Sequence, residues 1–99
     1  AGAVRIAAPD TLLLAAAPPV AFAALVDAAH HVGSISYVDR SCGVFEVIVG
    51  VEGETCSLLA MLQAWTHGTE ATFALESLER VASHDPEPVV RQMVAALAS

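Results

Sequence analysis

Ninety-nine residues are enough for one domain and too few for two independent cores. Hydrophobic residues make up 56% of the chain and charged residues 15%, against about 25% charged in an average domain. Asp and Glu number 11 against four arginines (Arg5, Arg40, Arg80 and Arg91) and no lysine, a net charge of −7. That balance excludes the basic stripe needed for nucleic-acid binding and any attraction to an anionic membrane surface. So much apolar sequence on so small a chain implies that part of its outside is covered by another copy or another protein.

In chain order, Val4 to Ala7 alternates weakly and reads as a short strand or a lead-in. Thr11 to Ala16 is a continuous apolar run, the pattern of a buried strand. Pro18-Pro19 opens a helix that runs to His31, with Phe22, Leu25, Val26 and Ala29 on one stripe and Gly33 as its stop. Ser34–Asp39 and Val44–Val51 form a hairpin around the turn Arg40-Ser41-Cys42-Gly43. Phe45, Val47, Val49 and Val51 share one face of its second strand, while Val44 and Ile48 make the other face apolar too. Glu52-Gly53 breaks that strand. Thr55 then caps a second helix, in which Leu58, Leu59, Met61, Leu62 and Trp65 form the stripe and His67-Gly68 the end.

Thr72 to Val81 contains a last strand of uncertain register, because Phe73, Leu75, Leu78 and Val81 do not keep one parity. Asp85-Pro86-Glu87 starts a terminal helix lined by Val89, Val90, Met93 and Leu97. The resulting order, β-α-β-β-α-β-α, is an α+β fold, a ferredoxin-like or split βαβ layer. The whole of 1–99 is read as one domain, with a leading segment 1–10, a core 11–83 and a C-terminal helix 85–98.

Chemistry-bearing residues are sparse. Cys42 lies in the hairpin turn, and Asp39 and Arg40 can pair there as ions. Cys56 reads as a small buried hydrophobe, and two cysteines without a CxxC spacing do not make a metal site within one chain. His30, His31, His67 and His84 each fall beside a helix end and read as caps. Ser57 is a helix-start serine, a cap or phosphoacceptor. No nucleophile elbow, phosphate loop, dinucleotide fingerprint or zinc-protease motif occurs, so no enzyme and no cofactor are expected. No apolar run approaches the ~20 residues that span a bilayer, no signal-peptide pattern is visible, and the reading is cytoplasmic.

The segment HVGSISYVDRSCGVFEVIVGVEG, from His31 to Gly53, resembles the bacterial microcompartment shell domain. Tyr37, the loop Asp39-Arg40-Ser41-Cys42-Gly43 and Val47-Ile48-Val49 follow its order without a gap. Ser83 to Glu87 before the last helix is similar to the family's ending, whereas its usual edge lysine has no counterpart. The resemblance implies a homo-oligomeric shell tile, usually a cyclic hexamer. Such a tile packs with other shell proteins around enclosed enzymes. By position, Arg40, Ser41, Cys42 and Gly43 would line a central metabolite pore. Several copies of Cys42 could meet at the symmetry axis and hold a metal or cluster. Two other resemblances share the element order. One is to ACT-like ligand-binding regulatory domains. The other is to the phosphocarrier HPr, whose phosphorylated histidine position is occupied here by Ala15.

Overall fold

Two tight turns organise the middle of the chain. Glu52 and Gly53 both have positive φ, 50° and 83°. That pair of left-handed residues is what a two-residue hairpin loop needs to match the twist of its flanking strands. Strand β4 (Val44–Val51) therefore folds straight back as β5 (Glu54–Trp65), with Val51 opposite Glu54 and Val44 opposite Met61. A second two-residue turn, Thr66-His67, reverses β5 into β6 (Gly68–Ser77), where Trp65 pairs with Gly68.

This computed structural model describes residues 4–98. Three more strands precede the meander, namely β1 (Val4–Ala8), β2 (Thr11–Leu14) and β3 (Ser34–Asp39). A two-residue β7 (Ser83–His84) follows it. They form one antiparallel seven-stranded sheet in the order β1-β2-β6-β5-β4-β3, with β7 beside β6. Helices α1 (Pro18–Ala29) and α2 (Glu87–Ala98) complete an α+β fold.

The helix expected at 55–65 is thus a strand, and the β-α-β-β-α-β-α order fails at that element. The physical reason lies in the pattern itself. Cys56, Leu58, Ala60 and Leu62 are buried on one face, while Ser57, Leu59, Met61 and Gln63 alternate with them on the other. Both faces carry apolar groups, so a period of two and a period of 3.6 fit the same letters. Leu, Met and Ala, being strong helix formers, tip local propensity the wrong way. The register of β6 is resolved as well: Ala71, Phe73 and Leu75 are buried together, and Leu78 and Val81 lie beyond the strand, exposed. Of the leading segment 1–10, residues 1–3 lie outside the described residues; Val4–Ala8 is a strand.

The core fills the space between the sheet and the helices. Leu12 and Leu14 of β2, Phe45, Val47 and Val49 of β4, Leu58 and Ala60 of β5, and Phe73 and Leu75 of β6 face Phe22, Leu25, Val90 and Met93. Phe22 meets Phe45 edge-to-face with ring centroids 5.7 Å apart. At the start of α1, Val20 and Ala21 donate their amides to the Ala17 carbonyl, and the prolines occupy positions whose N–H would have no partner. At the start of α2 the expected cap is present: Glu87 N–H donates to Asp85 Oδ1 at 3.0 Å, and Arg91 pairs with Glu87 one turn on. Gly33 does not end α1 as a left-handed residue. A Cβ there would lie 2.2 Å from the Ile48 carbonyl oxygen, so the glycine is needed where the chain crosses close to β4.

Candidate functional site

Both helices cover one face of the sheet and leave the other open. Antiparallel pairing sets its rows: Ser34, Ile48, Ser57 and Glu76; then Tyr37, Glu46, Leu59 and Ala74; then Asp39, Val44, Met61, Thr72 and Thr11. Val44, Ile48 and Leu59 are half-buried on this face, and Met61 is 50% exposed. Met61 and Trp65, expected in the core, stand here in contact with solvent because β5 replaces the helix. Leu62, another member of that expected stripe, is buried.

Among these apolar groups one carboxylate is clamped. A bulge between Ile35 and Tyr37 turns Ser36 so that its hydroxyl donates to Glu46 Oε1, and Ser57 Oγ donates to Glu46 Oε2. These two bonds, Ser36 first, hold the Glu46 carboxyl below the usual carboxylate range. Ser57 is neither a helix cap nor a surface phosphoacceptor, since it is buried in mid-strand with its hydroxyl committed to Glu46.

The turn at one end of this face is built on one carboxylate. Asp39 Oδ1 accepts from Ser41 N–H (3.1 Å), Ser41 Oγ (2.7 Å) and Cys42 N–H (3.1 Å), while Tyr37 OH donates to Oδ2 at 3.2 Å. The Ser41 hydroxyl leads in holding the Asp39 carboxyl down, to about 2. The Tyr37 phenol is raised, chiefly by its bond to that carboxylate. Gly43 has φ 69°, and a Cβ on it would come within 2.7 Å of the Leu62 carbonyl oxygen.

Asp39 and Arg40 do not form the expected ion pair. Arg40 instead lies over the Phe22 ring, 5.7 Å from its centroid, beside a cavity of about 170 Å³ lined by Pro18, Pro19, Phe22, Gly43 and Leu62. Of the expected pore residues, Arg40, Ser41 and Cys42 are all exposed, Arg40 with its guanidinium over the Phe22 ring, and Gly43 is half-buried.

At the opposite end of the sheet lies a cluster that the sequence did not suggest. Glu54 and Cys56 share the helix-side face of β5, and β7 places His84 beside Leu75 on β6. Glu54 Oε1 lies 2.8 Å from His84 Nε2, and Glu54 Oε2 is paired with Arg80. Arg80 is the main reason that the Glu54 carboxyl sits below its ordinary range. His84 is not a helix cap, and no spacing signal joins residue 84 to 54–56. Their approach requires both the strand at 54–65 and the pairing of β7.

Compared with known proteins, the chain matches no family model and no curated protein. No helix among the described residues is long and apolar enough to cross a membrane.

Proposed function

We propose that the chain is a non-catalytic, self-associating structural subunit whose open sheet face meets another copy. The observation that carries this is the apolar group Val44, Ile48, Leu59 and Met61, spread over two adjacent strands on the face opposite the helices. A solvated antiparallel face ordinarily alternates cleanly to polar side chains, and this one does not. A second copy is the favoured occupant because most soluble oligomers are closed assemblies of identical chains, in which one patch serves both partners. Glu46, held by two serine hydroxyls, supplies a fixed acceptor amid the apolar groups, which favours one docking register over sliding.

The microcompartment shell tile is the narrower form of this reading. The hairpin of β3 and β4 and its exposed tip at Ser41 and Cys42 support it. The strand at 54–65, where that resemblance calls for a helix, removes its support in the second half of the chain. Ring formation around residues 40–43 thus rests on the hairpin, and self-association on the sheet face.

Native mass spectrometry of the wild type and Met61→Glu tests both levels. The wild type is expected as a closed oligomer, and the variant, whose side chain is already half exposed, as a folded protomer. A wild type that stays monomeric at the highest concentration reached overturns the proposal. An oligomer other than a hexamer or trimer removes the shell tile and leaves self-association standing.

A further inference from the structure

The donors Glu54 carboxylate oxygen, Cys56 Sγ and His84 imidazole nitrogen all lie within 4.8 Å of one another. In a tetrahedral zinc site, bonds of about 2.0–2.3 Å put neighbouring donors about 3.5 Å apart. Donor-atom shifts of about 1 Å close the present cluster around an ion. Thiolate, imidazole and carboxylate together are the donor set of zinc and its thiophilic neighbours, not of magnesium or calcium.

The surroundings fit a cation. Glu54 offers Oε1 to the cluster while Oε2 stays with Arg80, so an ion can replace the hydrogen bond to His84 without breaking the ion pair. His84 Nδ1, on the far side of the ring, lies 4.0 Å from Glu52 Oε2, so that this exposed carboxylate needs only a small swing to accept its N–H and orient a ligating imidazole. Cys56 is fully buried, and its hydrogen bond is a long one, 3.9 Å to the Glu54 carbonyl. Glu79 adds a third carboxylate close by, its Oε2 accepting from Thr55 N–H at 2.6 Å. Glu52, Glu54 and Glu79 thus surround the thiol against one cation, Arg80. His84 and Glu54 keep 13% and 19% of their side chains exposed, which leaves a path for the ion.

We propose that Glu54, Cys56 and His84 bind one zinc-type divalent cation, with water in the fourth position, clasping the start of β5 to β7. Binding releases the Cys56 thiol proton to solvent. The thiol and the imidazole must both be free of the competing proton to ligate, so affinity falls as pH is lowered. The site is independent of how copies associate.

The test is a cobalt(II) titration, with zinc competition, in a Cys42→Ser background that leaves one thiol. The expected result is one equivalent bound, with a thiolate-to-cobalt charge-transfer band and tetrahedral ligand-field absorption. Zinc should displace the cobalt and raise the melting temperature. Cys56→Ser should abolish the charge-transfer band, and His84→Gln should weaken binding at least tenfold. Should Cys56→Ser fail to fold, His84→Gln and Glu54→Gln, at partly exposed positions, carry the same titration. No saturable binding by folded protein, a charge-transfer band that survives in folded Cys56→Ser, or affinity unchanged in both remaining variants would overturn the site.

Discussion

Replacing Leu58 by alanine, beside the same change at Leu59, tests the architecture at its most consequential element. Leu58 has no exposed surface and sits between Val47 of β4 and Leu75 of β6, both buried. Truncation removes three carbons, about 2.5 kcal/mol at 0.8 kcal/mol for each buried methylene, before any cavity remains. With the cavity the loss is about 3–4 kcal/mol. For a chain of this size that lowers the melting temperature by about 12 °C or more. Leu59 points to the open face and is half-buried. Its truncation costs about 1 kcal/mol in the dissociated protomer. Urea and thermal unfolding followed by circular dichroism, at concentrations low enough to hold the protomer apart, measure both. Equal losses at the two positions would place them on one helical stripe and refute the strand. A loss under about 1 kcal/mol at Leu58 would refute the core described around it.

Two further outcomes follow from the turns. Asp39 is held near 2 against an ordinary value of 3.8, so its lowered folded value contributes stability that is fully present above pH ~4 and is lost as pH falls toward 2. Asp39→Ala should therefore flatten the acid limb of a melting-temperature titration in that window, and an unchanged slope would show that the turn bonds do not hold in solution. Gly33→Ala places a methyl 2.2 Å from the Ile48 carbonyl oxygen. It should cost about 2 kcal/mol or more in a urea titration, and a neutral result would mean that the chain does not cross β4 there.

The parts of the fold legible in the sequence are those where one signal had no competitor. Asp85-Pro86-Glu87 combines a capping side chain with a proline that only a first turn accepts, and α2 starts there. The β3–β4 hairpin followed from β-branched alternation around a glycine-bearing turn. The segment 54–65 was not legible, because a strand apolar on both faces presents helix spacing as readily as strand spacing. The useful clue was Glu52-Gly53, a hairpin turn that reads equally well as a strand break until the second φ > 0 residue is known. The open face was partly visible, since Val44 and Ile48 already stood against Phe45 and Val47 in sequence. The Glu54–Cys56–His84 cluster was hidden for a topological reason. It joins residues about 30 apart through the pairing of a two-residue strand, and such short pairings carry no periodic signal.

Of the two thiols, one is buried beside β7 and the other stands at the apex of a hairpin bend stiffened by four hydrogen bonds to a single carboxylate. A probe coupled to Cys42 would therefore ride on a well-defined platform instead of a wandering loop. Spectroscopic rulers between such probes would report directly how far apart the bends of neighbouring copies sit. Short separations would describe bends gathered about a shared centre, and long ones would describe bends splayed to the rim.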